Sequence, residues 1–138
     1  MKKISANISI WLTVSLLLAP LSVLADPPLQ DISARTAAAL IQENQSNPDF
    51  VILDIRTPKE FEAGHIAGAP NIDFYAQSFA KEFTSLDREK TYLIYCRSGN
   101  RSRQLMGAVD KRHFEKVFHM RSGLVDWVGQ GFKLVPTE

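Results

Sequence analysis

The chain holds a single cysteine, Cys96, and its surroundings are those in which a thiol does chemistry. It opens the run Cys96-Arg97-Ser98-Gly99-Asn100-Arg101-Ser102, which lies between an apolar segment, Thr91 to Tyr95, and a helix-like stretch from Arg101 to about Lys111. A strand–loop–helix of this kind turns successive backbone N–H groups inward and aims a helix N-terminus at the same point, which makes a cavity for an anion. Gly99 lets the backbone close without a side-chain clash. With Cys96 at the floor, the N–H groups and Arg97 or Arg101 stabilise thiolate over thiol. Such settings bring a cysteine pKa from about 8.5 into the range of roughly 3.5–7.5. The competing reading is a tight turn with solvated arginines and a buried, inert thiol.

Other residue types invite chemistry less strongly. His65, His113 and His119 show no helical i, i+4 pairing and have no second cysteine to join, so no metal site is expected. Trp127 reads as core. Lys111-Arg112-His113 reads as a solvated helix end favoured by the helix dipole.

The elements that must hold Cys96 can be traced along the chain. Asp26 to Gln30, with Pro27 and Pro28, reads as an extended entry. Ser33 can cap a helix running to about Gln42, with Ile32, Leu40 and Ile41 as apolar contacts. Phe50 to Ile55 is a nearly continuous apolar run, which fits a buried parallel strand. Thr57, Pro58 and Glu60 spell a helix start with a capping box, and Gly64 ends that helix. A helix follows around Gln77 to Phe83. The helix after Cys96 offers Leu105, Met106, Ala108 and Val109 as apolar positions. Val117 to Met120 is a third strand, and Gly123 precedes a short helix with Leu124, Trp127 and Val128, closed by Gly129 and Gly131. Strands alternating with helices imply an α/β domain around a mainly parallel sheet, whose ligands sit beyond the carboxyl ends of the strands. Cys96 stands at such an end.

Together these residues resemble the rhodanese family. The similarity is carried by Ile52-Leu53-Asp54-Ile55-Arg56, by Glu60-Phe61 with Gly64-His65-Ile66 and Gly68-Ala69, by the Cys96 to Ser102 loop, and by Gly123, Trp127 and Gly131. The resemblance implies a parallel sheet of about five strands flanked by helices, and sulfur transfer through a persulfide on Cys96. It also implies scaffold roles for Asp54, Arg56 and His65. Two positions depart from the family pattern: His113 where a glycine is frequent, and Ser122 where paired glycines usually precede the last helix.

The expected activity is therefore that of a thiosulfate sulfurtransferase. Cys96 attacks a small anionic, thiosulfate-like donor, and the sulfur passes to cyanide or a thiol. Arg97 and Arg101 hold the donor, and the backbone from Arg97 through Ser98, Gly99, Asn100 and Arg101 to Ser102 cradles the persulfide. No cofactor is required. Two alternatives compete. One is a binding module or persulfide carrier with the same fold and little turnover. The other is a cysteine phosphatase or arsenate reductase, whose arginine stands one residue further from the nucleophile, at the position Ser102 holds here.

The chain has 138 residues, a size suited to one domain after a targeting segment. Lys2 and Lys3 precede an apolar run from Ile8 to Leu18, Pro20 breaks it, and Ala25 offers a cleavage point. Residues 1–25 read as a secretory signal, leaving 26–138 as the domain, exported and expected in the periplasm. An uncleaved anchor is the alternative; once the signal is cut, no stable membrane association is expected. Without Lys2 and Lys3 the chain carries one more acid than base, so nothing points to nucleic acid.

Overall fold

Ile52, Leu53, Leu93, Ile94 and Val117 are all buried, and runs this apolar are stable only where both faces of a sheet are covered. The computed structural model describes residues 28–111 and 114–137. The strands are β1 (Leu29–Ile32), β2 (Phe50–Asp54), β3 (Thr91–Tyr95) and β4 (Lys116–Met120). The helices are α1 (Ala34–Glu43), α2 (Pro58–Glu62), α3 (Phe79–Thr84), α4 (Asn100–Lys111) and α5 (Gly123–Gly129). The strands form one parallel sheet in the order β1-β4-β3-β2. A parallel bridge between Asp54 and Asn71 continues pairing beyond β2, so the sheet comes close to the expected five strands.

Alternation along each strand sorts side chains to two layers. Leu53, Ile94 and Val117 pack on one face with Phe83 of α3 and with Leu105, Met106 and Val109 of α4. Ile52, Leu93, Tyr95 and Met120 pack on the other with Ala34 and Ala37 of α1 and with Leu124 and Trp127 of α5. Each such large side chain contributes about 1.5–3 kcal/mol when withdrawn from water.

Local signals act as expected. The Ser33 hydroxyl caps α1 by accepting from the Thr36 N–H, and Thr57 and Glu60 form the capping box of α2. Trp127 is core, and its Nε1–H donates to the Lys133 carbonyl. Three details differ. Leu29–Ile32 is a strand, and Ile32 ends it while packing against the cluster that holds Ala34 and Ala37 of α1. The buried face of α1 is made by Ala34 and Ala37, because small side chains let the helix lie close to the sheet. In α4 Ala108 is exposed, and the buried stripe is Ser102, Leu105, Met106 and Val109. The stretch expected to be a signal, and His113 with Arg112, lie outside the described residues.

Candidate functional site

The backbone after β3 reverses sharply at Cys96, and α5 dictates how. The N–H groups of Leu124 and Val125 donate to the carbonyls of Cys96 and Arg97, each at 3.0 Å. Carbonyls held outward leave the following N–H groups to face inward. The Gly99 N–H donates to Cys96 Sγ at 3.1 Å. Two glycines make this approach possible. Gly99 has φ +86°, and a Cβ there would run into the Arg121 carbonyl oxygen. Gly123 has φ +58°, and a Cβ there would strike the carbonyl oxygens of Cys96 and Arg97. Ser122, the departure from the family pattern, has φ −103°, open to any residue. The glycine the geometry requires is therefore retained.

Cys96 is 1% exposed. Burial pushes its thiol pKa up, but hydrogen bonds from the Ser102 side chain and from the backbone N–H groups of Ser102, Ser98 and Gly99 outweigh burial. The net direction is down, towards thiolate.

The loop side chains divide by exposure. Arg97, Ser98 and Asn100 are exposed, Gly99 and Ser102 are buried, and Arg101 is half-buried. Arg101 reaches α2 rather than open solvent: its guanidinium donates to both Glu60 oxygens, at 2.7 and 2.8 Å. It also lies 5.6 Å from the centroid of the Tyr75 ring. The same Glu60 carboxylate accepts from the Thr57 N–H and hydroxyl. Its pKa is held at about 2, chiefly by Arg101, and Arg101 is in turn pushed further up by its bonds to Glu60.

Asp54, Arg56 and His65 are buried and bonded within the β2–α2 region. Asp54 is fully buried and binds Arg56 through both carboxylate oxygens, the shortest contact 2.7 Å. Arg56 also donates to the Gly64 carbonyl at 2.7 Å. His65 stacks on Phe61 with ring centroids 3.7 Å apart, and its Nδ1 is 3.1 Å from the Phe61 carbonyl.

A chain of contacts on the buried side of the loop escaped the sequence reading. Ser102 Oγ is 3.5 Å from Cys96 Sγ and 2.8 Å from His119 Nε2. His119 Nδ1 is 2.8 Å from Asp31 Oδ1. The available signal was His119 itself, a polar residue among Val117, Phe118 and Met120 in a buried strand, which must find partners. Beside the loop a cleft of about 480 Å³ is lined by Arg56, Glu60, Arg97, Leu124, Val125 and Val128 among others.

Comparison with known proteins places this geometry. A model of the rhodanese-like domain matches residues 36–130, more than half of the chain. A sulfurtransferase of Allochromatium vinosum is 28% identical over 100 residues, covering 72% of this chain and 92% of that protein. The probable adenylyltransferase/sulfurtransferase MoeZ of Mycobacterium tuberculosis is 31% identical over 85 residues, 62% of this chain. The match spans only 22% of that relative's length. Among solved structures, a rhodanese-related protein from Thermoplasma volcanium superposes with a TM-score of 0.62 at 26% identity, covering 78% of this chain and 99% of that one.

Proposed function

The chain belongs to the rhodanese-like family of sulfurtransferases, and from that premise we propose that Cys96 carries a sulfane sulfur between a thiosulfate-like donor and a cyanide or thiol acceptor. The carrying observation is the position of Cys96 Sγ. It lies at the carboxyl end of a central strand, held by the Gly99 N–H and beside the Ser102 hydroxyl, in an environment that favours thiolate.

In the first step the thiolate attacks the outer sulfur of the donor. A bond forms between Cys96 Sγ and that sulfur, the donor's sulfur–sulfur bond breaks, and sulfite leaves with the electron pair. In the second step the acceptor attacks the outer sulfur and Cys96 leaves as thiolate. Arg97, exposed at the loop, attracts the anionic donor, and the backbone N–H groups stabilise charge on the sulfur. Arg101 acts at one remove, because Glu60 already takes the Nη1/Nη2 edge of its guanidinium. That pairing, with Ser102 at the place a phosphatase gives to arginine, also weighs against phosphate chemistry. Cys96→Ser is expected to abolish thiosulfate:cyanide transfer in a folded protein. Transfer that survives the substitution, or efficient Cys96-dependent hydrolysis of aryl phosphates by the unmodified protein, would overturn this reading.

A further inference from the structure

The Ser102 hydroxyl has one proton and three acceptors within reach. They are the Gly99 carbonyl at 3.2 Å, Cys96 Sγ at 3.5 Å and His119 Nε2 at 2.8 Å. An ionised carboxylate can only accept, so the short contact to Asp31 fixes a proton on His119 Nδ1. A neutral His119 then turns a lone pair towards Ser102 and draws the hydroxyl proton to Nε2. In that state Ser102 offers sulfur only lone pairs, and Cys96 is best accommodated as thiol. A protonated His119 donates from Nε2 to Ser102 Oγ instead. The hydroxyl proton is then free to turn to sulfur, and thiolate is favoured.

We infer that His119, held by Asp31, is a positioning residue that takes up the Cys96 proton through Ser102, so that the reactive loop contains a thiolate and an imidazolium joined by a neutral serine. In the transfer the S–H bond breaks and its proton passes to Ser102 Oγ, while the Ser102 O–H proton passes to Nε2. Ser102 ends neutral, and the charges of sulfur and imidazolium cancel.

The surroundings support this pairing. His119 is 1% exposed, with Asp31 at Nδ1 and Ser102 at Nε2. Asp31 of β1 is half-exposed and binds it directly. β3 places the apolar Ile94 opposite it in register. On α4, Arg101 is engaged by Glu60 and Arg103 is exposed; at the end of β4, Arg121 is exposed. Because the Gly99 N–H favours thiolate regardless of His119, removing the imidazolium charge should shift the ionisation of Cys96 rather than abolish it.

The inference rests on the reading of Cys96 as the sulfur carrier, but a test on the thiol separates the two. Alkylation of Cys96 by iodoacetamide is followed against pH for the wild type, Asp31→Asn, Ser102→Ala, and Ser102→Ala combined with Asp31→Asn. An asparagine keeps an oxygen to accept from Nδ1 but withdraws the charge that supports imidazolium. Asp31→Asn is expected to move the midpoint upward by about one pH unit, which slows alkylation about tenfold on the acid side. Ser102→Ala should also raise it, and Asp31→Asn should add nothing in that background. An unchanged midpoint in folded Asp31→Asn, or equal shifts with and without Ser102, would overturn the inference. If thiosulfate still loads sulfur onto wild-type Cys96, only the proton route falls. If the midpoint shifts but no sulfur is loaded, the route stands and the carrier reading falls.

Discussion

A methyl group at position 123 would strike the carbonyl oxygens of Cys96 and Arg97, the two groups that α5 holds outward so that the loop N–H groups turn in. Gly123→Ala is therefore expected to cost about 1–3 kcal/mol through its positive φ alone. Movement of the loop by about 1 Å would cost on the order of a hundredfold in transfer rate. Gly129→Ala, in the same helix with open space around it, should leave both unchanged. Thermal unfolding and thiosulfate:cyanide turnover check both variants; a Gly123→Ala protein matching the wild type in each would contradict this account of the loop. At this scale much was legible. Cys96, Gly99 and Ser102 announce themselves because they are contiguous, and a strand before and helix after define their geometry. Asp31 and His119 could not be read in the same way. They stand far from Cys96 in sequence, and only parallel pairing of β1 with β4 sets Asp31 beside His119.

Between elements, one carboxylate does two tasks: Glu60 closes the capping box of α2 and fixes Arg101 of α4. The capping role was legible from Thr57-Pro58-Lys59-Glu60 because it is local, whereas the link to Arg101 depends on tertiary packing. Glu60→Gln and Arg101→Ala should each slow transfer and destabilise the fold by about 1 kcal/mol, the scale of a partly exposed ion pair. Their effects should be non-additive when combined, since either change alone leaves the other partner uncompensated. The acid dependence follows from the depressed pKa of Glu60. Its stabilisation is fully present above the ordinary glutamate value of 4.5 and is lost as pH falls through about 2. Urea unfolding across that interval should show a steeper loss for the wild type than for Glu60→Gln; parallel slopes would show that the pair does not couple to folding. The missed strand has a related cause. Leu29–Ile32 is short and partly polar, with Asp31 within it, so no period identifies it; it becomes a strand by pairing with β4. By contrast β3 is legible to the residue, because Tyr92, Leu93, Ile94 and Tyr95 are all buried and nothing but a central strand accommodates such a run.

For the molecule as a whole, the parallel order β1-β4-β3-β2 puts the carboxyl ends of β2, β3 and β4 side by side, and the loops that follow them meet around Cys96. Fold class was legible from alternating strand and helix signals, and the family from the motifs at these strand ends. Strand order was not, because sequence order does not say which strands are neighbours. Export is a proposal from residues 1–25: the mature chain is expected to begin at Asp26, and N-terminal sequencing that finds Met1 on a membrane-bound product would contradict it. The central claim concerns the sulfur itself. Intact-mass spectrometry of the purified protein, before and after thiosulfate, is its most direct test. The account predicts a gain of one sulfur atom's mass, located on Cys96 and released by cyanide. An unchanged mass after thiosulfate, with Cys96 still a free thiol, would contradict it.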